Sequence, residues 1–214
     1  MYKRMNEQLQ KEGAMALVTG ASSGIGLAYA RELARRGYDL LLVSNEQEQI
    51  GTVAEELAAA FGVKTIPLCM DLARSEAARE LYEYCEREKL QIGILVNNAG
   101  IFFFDDLTEV APERIETMLL LHIRAVTLLC RYFGAAMKRR RAGYILNMSS
   151  LSAWTPAPGI SVYAASKSYI RKFSQMLRYE LHQYGVGVTT VCPGAIATGL
   201  YNLSDYYQRL ALRL

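Results

Sequence analysis

The chain has few of the residues that mark several common classes of protein. Its 214 residues include only two histidines, and its four cysteines form no Cys-x-x-Cys pair. Because all four lie within or beside apolar segments, we expect reduced core thiols at Cys69, Cys85, Cys130 and Cys192. The sequence therefore predicts neither a metal site nor a disulfide framework.

A large excess of charge and a long uncharged apolar run are also absent from the sequence. The formal net charge is +3, too small an excess to indicate nucleic acid. The polar residues 1–12 contain no apolar signal region. The most apolar segment, residues 118–133, is interrupted by His122, Arg124 and Arg131, so it lacks the roughly 20 apolar residues of a membrane span. We therefore expect a cytoplasmic protein.

Short apolar runs alternate with helix-length segments along the chain. Helical patterns occupy about 24–36, 46–61, 74–89, 112–140 and 162–184. The runs between them predict strands at residues 14–20, 38–44, 63–69, 93–100, 143–150 and 186–194. This alternation predicts one α/β domain over residues 1–214. It would be a doubly wound parallel sheet in three α/β/α layers, with ligands at the carboxyl ends of the strands.

A glycine-rich loop, "TGASSGIG" (residues 19–26), follows the first of these strands. Gly20, Gly24 and Gly26 let the backbone turn tightly and place a pyrophosphate at the start of the next helix. The same loop matches a Gly-x-Ser-x-Gly nucleophile elbow, in which Ser22 would be an esterase nucleophile. An esterase of that type needs a histidine further along the chain, and both histidines fall within helical patterns. Dinucleotide binding is therefore favoured.

A second short motif, "YAASK", places Tyr163 four residues before Lys167. On a helix the two side chains share one face, one turn apart. The ammonium would then stabilise the phenolate form of the tyrosine. By itself the spacing also fits an ordinary surface pair, so the motif needs the rest of the chain to interpret it.

Five motifs together resemble the short-chain dehydrogenase/reductase family. "TGASSGIG" resembles the cofactor loop of that family, "NNAG" (97–100) its fourth-strand motif and "NMSS" (147–150) its serine-bearing strand end. "YAASK" resembles its Tyr-x-x-x-Lys pair, and "PGAIAT" (193–198) its nicotinamide-side loop. The resemblance extends from about residue 13 to 200. It implies a Rossmann-like fold and an oxidoreductase that transfers a hydride between NAD(P)(H) and a carbonyl or secondary alcohol.

The resemblance also implies roles for individual residues. Tyr163 would exchange a proton with the substrate oxygen, Ser150 would hydrogen-bond that oxygen, and Lys167 would serve both the tyrosine and the cofactor ribose. Asp71 matches a position that contacts adenine, and it would also fit the N-cap of the following helix. The implied cofactor-binding residues are Gly20, Ser22, Ser23, Gly24, Ile25, Gly26, Ser44, Asn45, Asp71, Leu72, Asn98, Ala99, Gly100, Tyr163, Lys167, Pro193, Gly194, Ile196 and Thr198.

Three features depart from the pattern of the family. Ser44 stands where members that prefer NAD carry an acid, which favours NADP(H) over NAD(H), although neither Ser44 nor Ser23 is basic. His122 stands where the family has an asparagine that supports a water beside the lysine, and it would either relay protons or pack. The chain stops before the last strand and helix of the family, and residues 199–214 would form a lid helix or the start of something longer.

Substrate class and assembly are predicted from apolar side chains. Phe102, Phe103, Phe104 and Trp154 are candidate pocket walls and favour an apolar ketone or alcohol as the small-molecule partner. The helix that carries His122 is apolar nearly all round, which favours a homodimer or homotetramer. The alternative function is a dinucleotide-binding redox sensor without catalysis, against which the intact serine, tyrosine and lysine set argues.

Overall fold

A six-stranded parallel sheet forms the centre of the molecule. The computed structural model describes residues 9–10, 12–155, 157–194 and 196. The strand order is β3-β2-β1-β4-β5-β6, so the sheet is doubly wound as predicted, and its topological switch point lies between β1 and β4. The strands are β1 (Met15–Thr19), β2 (Leu40–Ser44), β3 (Thr65–Cys69), β4 (Ile92–Asn97), β5 (Gly143–Met148) and β6 (Val186–Val191).

Helices cover both faces of the sheet, which confirms the three-layer α/β/α prediction. Each predicted strand and helix is present, with ends within a few residues of the predicted bounds. The long helical pattern at 112–140 contains a π-helical turn, Leu120–Ala125, between α4 and α5. The helices are α1 (Gly24–Arg35), α2 (Gln47–Phe61), α3 (Ala77–Arg87), α4 (Pro112–Leu119), α5 (Val126–Arg140) and α6 (Ser161–His182), and a 3₁₀ turn spans Leu151–Ala153.

Alternating side chains of the strands divide the apolar core into two layers. On β1, Leu17 faces α3, α5 and α6, whereas its neighbours Ala16 and Val18 face α1 and α2. Each layer is continuous across several strands, as expected of a parallel sheet that is buried on both faces. This packing fixes the carboxyl ends of β1, β4 and β5, where the candidate site lies.

The cysteines only partly match the prediction of four core thiols. Cys85 and Cys130 are buried, and burial raises the pKa of each thiol to about 12. Cys192 is half-buried. Cys69 is exposed, so the prediction is wrong there, because β3 is the edge strand and is covered less completely than the central strands.

The segment Pro112–Arg140 is the most apolar long helical segment among the described residues. By length and composition alone it is apolar enough to cross a membrane, so His122, Arg124 and Arg131 do not exclude it on that criterion. Half of its most apolar window is buried inside the fold. Its buried side chains, among them Leu129 and Phe133, pack against the sheet.

Candidate active site

The loop after β1 is shaped by glycines. Gly20 and Gly24 have φ values of +63° and +54°, a backbone region that other residues rarely adopt. A Cβ on Gly26 would clash with the carbonyl oxygen of Gly20 and with Nδ2 of Asn98. The Ser23 side chain makes no capping hydrogen bond, so it does not compete with an anion for the first N–H groups of α1. The loop therefore has the features of a pyrophosphate cradle.

Asn98 holds this loop against the end of β4. Its Nδ2 donates to the carbonyl oxygens of Thr19 and Gly20, at 3.0 and 3.1 Å. The Oγ1 of Thr19 in turn accepts from the backbone N–H groups of Asn98 and Ala99, both at 3.0 Å. The "NNAG" motif thus fixes the relative position of the two strand ends on either side of the switch point.

A cleft of about 530 Å³ runs along these strand ends. Its volume and its glycine cradle fit a dinucleotide, the group that the sequence predicts. The cleft is lined by twelve of the predicted cofactor residues, namely Gly20, Ser22, Ser23, Gly24, Ile25, Ser44, Asn45, Asp71, Leu72, Asn98, Ala99 and Gly100. It is also lined by residues that the sequence reasoning missed, namely Val43, Glu46, Gln49, Met70, Ile101 and Leu121.

Glu46 is the most consequential of the missed residues. Ser44 Oγ donates to Ser22 Oγ at 2.9 Å, and Ser22 Oγ donates to Glu46 Oε2 at 3.0 Å. The Glu46 carboxylate therefore lies at the end of β2, although residue 44 itself is a serine. Its position two residues after Ser44 was the available signal. The partners of Ser22 are a serine and a glutamate rather than a histidine, which argues against the esterase interpretation.

Asp71 lines the cleft, but it does not cap a helix. Its Oδ1 accepts from the backbone N–H of Ala73 at 2.9 Å and closes a short turn. Helix α3 begins only at Ala77, so the N-cap interpretation of Asp71 is wrong. The side chain is thus held by a local turn at the end of the cleft.

A smaller cavity of about 50 Å³ joins the cleft on the side of β5 and α6. The two spaces share Ile25, Asn98, Gly100 and Ile101 as lining residues. The walls of the small cavity bring together three predicted catalytic residues and the loop after β6, namely Ser150, Tyr163, Lys167, Pro193, Gly194 and Ile196. Thr198 and the candidate lid at 199–214 lie outside the described residues.

Lys167 is buried although it is a lysine, with only 5% of its surface exposed. Its Nζ donates to the carbonyl oxygen of Met148 at 3.1 Å and lies 5.5 Å from the ring centroid of Tyr163. Burial lowers the pKa of Lys167 to about 8. Ser150 Oγ accepts from the backbone N–H of Ser152 at 3.2 Å, a bond that leaves the proton of its own hydroxyl for another acceptor.

A buried polar network fixes the strands and the helix that carry these groups. Asn97 and Asn147 face each other across β4 and β5, and Nδ2 of Asn97 donates to Oδ1 of Asn147 at 2.8 Å. Nδ2 of Asn147 donates to Oγ of Ser174 on α6, also at 2.8 Å. Ser149 Oγ donates to the backbone carbonyl of Lys167 at 2.7 Å. These bonds hold the register of α6 against β5.

His122 lies in the π-helical turn and has no exposed surface. One ring nitrogen, Nε2, accepts from the backbone N–H of Ile101 at 3.0 Å. The other, Nδ1, lies 2.9 Å from Oγ of Ser166. The ring therefore sits between the loop after β4 and helix α6.

The four aromatic residues expected at the substrate pocket divide into two pairs. Phe103 is buried in a small cluster that includes Tyr163, and the ring of Phe102 meets the Tyr163 ring edge-on with centroids 4.9 Å apart. Phe104 and Trp154 are 69% and 59% exposed. The first pair thus supports the tyrosine. The second pair is exposed, although the Arg171 guanidinium lies over the Trp154 ring, with Cζ 3.8 Å from its centroid.

Comparison with known proteins places this site in a family. A model of the short chain dehydrogenase family matches residues 14–205. The very-long-chain 3-oxoacyl-CoA reductase of Anas platyrhynchos is 36% identical over 199 residues, 90% of this chain and 62% of that protein. The inactive hydroxysteroid dehydrogenase-like protein 1 of Homo sapiens is 33% identical over 206 residues, 94% of this chain and 61% of that protein.

Solved structures share the fold as well. A short-chain dehydrogenase from Sphingobium yanoikuyae, in complex with NADPH, has a TM-score of 0.84 and 34% identity, covering 88% of this chain and 73% of the other. The bulky-bulky ketone specific alcohol dehydrogenase from Comamonas testosteroni has a TM-score of 0.80 and 32% identity, covering 85% and 73%. The chain spans about three fifths of the length of the curated relatives.

Proposed function

The chain belongs to the short-chain dehydrogenase/reductase family, and we propose that it is an oxidoreductase that interconverts an apolar ketone and its secondary alcohol with NADP(H). The observation that carries this proposal is the meeting of Ser150, Tyr163 and Lys167 in one small cavity. That cavity opens into a cleft with the volume and glycine cradle of a dinucleotide site.

In this proposal each of the three side chains has one task at the substrate oxygen. The bound nicotinamide supplies or accepts the hydride. Tyr163 exchanges a proton with the oxygen, and Ser150 donates a hydrogen bond that orients it. The Lys167 ammonium stabilises the phenolate form of the tyrosine. Burial of all three side chains strengthens these electrostatic effects.

The preference for NADP(H) rests on relatives and on the residues at the end of β2. Solved neighbours at 31% to 34% identity contain NADPH or NADP. The hydroxyls of Ser22 and Ser44 would hold the 2′-phosphate of NADP(H) as donors in place of their present bonds to Glu46 and Ser22. The exposed carboxylate of Glu46 would repel that phosphate, which weakens the preference for NADP(H).

The substrate class rests on apolar side chains in and near the loops that carry the catalytic residues. Ile196 lines the catalytic cavity and is 43% exposed. Phe104, Leu151 and Trp154, in the segments that follow β4 and β5, are also exposed. These side chains favour a ketone with bulky apolar substituents over a sugar. Two relatives named above act on substrates of that kind by their names, a very-long-chain 3-oxoacyl-CoA and bulky-bulky ketones.

We also propose a cytoplasmic homodimer or homotetramer that pairs through α5 and α6. On α6, Tyr169, Phe173 and Met176 lie along one face, and Tyr169 and Met176 are 38% and 42% exposed. The Oη of Tyr169 lies 2.9 Å from Oγ1 of Thr127 on α5, which joins the two helices into one surface. Light scattering after gel filtration measures the assembly, and a monomer at micromolar concentration would overturn this part.

A substrate panel tests the proposed function. Ketones with bulky aryl or long acyl substituents are offered with NADPH and with NADH. Oxidation of the cofactor is followed by the loss of absorbance of the reduced nicotinamide. We expect turnover with NADPH, faster for bulky apolar ketones than for sugars. The competing function is a redox sensor without catalysis. It predicts NADPH binding by calorimetry without turnover of any ketone, and that result would overturn the enzyme proposal.

A further inference from the structure

His122 connects three parts of the molecule that lie far apart in sequence. Its Nε2 meets the backbone N–H of Ile101 in the loop after β4, at 3.0 Å. Its Nδ1 meets Oγ of Ser166 on α6, at 2.9 Å. Ser166 Oγ also bonds to the carbonyl oxygen of Tyr163, at 2.8 Å. The ring itself belongs to the π-helical turn between α4 and α5.

The partners of the ring determine its tautomer. The Ile101 N–H can only donate, so Nε2 must hold a lone pair and no proton. The proton of a neutral ring is then on Nδ1 and is donated to Ser166 Oγ. The hydroxyl of Ser166 can donate its own proton onward to the Tyr163 carbonyl. Every polar hydrogen in this series of hydrogen bonds has an acceptor. The direction of each bond follows from the donation by the Ile101 N–H.

We propose that His122 is a neutral clamp that positions Tyr163 for the reaction proposed above, and that it carries no protons during turnover. A relay must take up a proton at one nitrogen and release it at the other. Uptake at Nε2 would put an N–H against the Ile101 N–H and break the bond to the loop. The clamp and the relay are therefore incompatible uses of the same ring.

The charged surroundings of the ring agree with this assignment. The titratable groups beside it are Tyr163, whose ring centroid lies 5.8 Å away, and Lys167, both on α6. From the loop after β4 the ring meets the backbone of Gly100 and Ile101, where a Cβ on Gly100 would lie 3.0 Å from Nε2. Burial, with a smaller effect of the Lys167 ammonium, lowers the pKa of His122 well below its usual range.

The clamp explains why a histidine can stand where the family has an asparagine. The loop after β4 forms one wall shared by the cofactor cleft and the catalytic cavity. Tyr163 lies in the first turn of α6, where the backbone is held by fewer helical bonds than further along. Through Ser166, the ring ties this first turn to that wall. Losing the tie would let Tyr163 shift relative to the cofactor.

Nuclear magnetic resonance of the ring nitrogens tests the clamp without any turnover. The chain has only two histidines, so the variant His182→Gln leaves the single ring of His122 in ¹⁵N-histidine-labelled protein. We expect Nδ1 to be protonated and Nε2 to be bare, with resonances that do not move between about pH 5.5 and 7, below the pKa of about 8 of the neighbouring Lys167. A titration with a midpoint near pH 6.5, or a proton on Nε2, would overturn the clamp, whatever the substrate proves to be.

Three substitutions then separate the two bonds of the ring. His122→Gln keeps an acceptor for the Ile101 N–H, His122→Asn keeps a donor toward Ser166, and His122→Leu keeps neither. We expect kcat to fall about 10- to 100-fold in the leucine variant and less in either amide variant, with the KM for NADPH nearly unchanged. Ser166→Ala keeps only the bond between the ring and Ile101, so its loss of kcat should resemble that of the glutamine variant. Unchanged kcat in the leucine variant contradicts the clamp.

The pH–rate profile of the wild type gives the last readout. A relay predicts a limb near pH 6.5 that disappears in both amide variants. The clamp predicts no such limb in any of the proteins. If no ketone is turned over at all, the proposed function fails while the resonance test of the clamp still stands.

Discussion

The two halves of the sheet build their parts of the site in opposite ways. Among the described residues, eleven buried side chains are polar or charged. Three of them, Thr19, Ser22 and Ser44, belong to the half formed by β1, β2 and β3. Eight belong to the half formed by β4, β5 and β6, namely Asn97, His122, Asn147, Ser149, Ser150, Ser166, Lys167 and Ser174.

The first half leaves space for the dinucleotide to approach the backbone, and the second half holds polar side chains in place by hydrogen bonds. A dinucleotide needs backbone N–H groups and close approach, which Gly20, Gly24 and Gly26 supply by lacking side chains. Proton transfer needs polar groups held at fixed positions, and burying them is costly unless each is hydrogen-bonded. The bonds of Asn147, Ser166 and Lys167 meet that requirement. The difference predicts separate effects on binding, chemistry and stability.

The largest expected effect is in the second half, at Lys167. In Lys167→Met we expect turnover to fall about 10³-fold, because the phenolate loses its cation. The free energy of unfolding at pH 7 should nevertheless rise, by about 1–2 kcal/mol. Burial moves the pKa of this lysine from 10.5 to about 8, a cost of about 3 kcal/mol at 1.36 kcal/mol per unit. Leaving the Met148 carbonyl without its partner offsets about half of that gain.

The pH dependence of unfolding sharpens this prediction. Between about pH 8 and 10.5 the folded protein has lost the Lys167 proton and the unfolded chain still holds it. Wild-type stability should therefore gain a contribution as the pH rises through that window, and Lys167→Met should lack it. Lys172→Met, at an exposed position on the same helix, is the matched control and should leave the curve unchanged. A methionine variant that is less stable than the wild type at pH 7 would contradict the account.

A smaller effect, on cofactor binding, is expected in the first half. The variant Gly26→Ala places a Cβ against the Gly20 carbonyl and Asn98, so the loop must move. We expect the Kd for NADPH to rise at least about 10-fold by calorimetry, which corresponds to 1.4 kcal/mol. Gly51→Ala is the matched control, because a Cβ there meets nothing within 4 Å in helix α2. It should bind NADPH normally and gain about 0.5–1 kcal/mol of stability.

The smallest effect is expected at the end of β2. Glu46→Gln removes a charge that faces Ser22 and keeps the shape of the side chain. The Kd for NADPH should fall about 3- to 10-fold, with little change for NADH, since only NADPH carries the 2′-phosphate. Glu48→Gln, in the first turn of α2 and outside the cleft lining, is the control. Equal changes for both cofactors would show that Glu46 does not face the phosphate.

The sequence predicts the sheet better than the second half of the site. Strands such as β1 and β4 are short apolar runs that end in glycine or asparagine, so their places follow from the residues alone. The π-helical turn around His122 leaves no such trace, because the apolar pattern simply continues through it. The partners of His122 are Ile101 and Ser166, which are 21 and 44 residues away. Contacts of that range depend on the packing of several elements.

Glu46 was missed for a different reason. The residue expected to determine cofactor choice was Ser44. The carboxylate belongs instead to Glu46, two residues later, and it lies near Ser44 because Ser22 bonds to both side chains. A local sequence pattern can therefore locate the end of a strand without identifying the side chain that governs cofactor choice there. The exposed position of Cys69 shows the same limit, because only the strand order reveals that β3 is an edge.

The most direct test of the division between the two halves is the substitution Tyr163→Phe, measured for binding and turnover on the same preparation. The phenyl ring keeps the contact with Phe102 and removes only the hydroxyl. We predict that kcat for a bulky apolar ketone falls at least about 100-fold. The Kd for NADPH, measured by calorimetry, should stay within about twofold of the wild-type value. A variant that retains wild-type turnover, or one that loses cofactor binding and turnover together, would contradict the account.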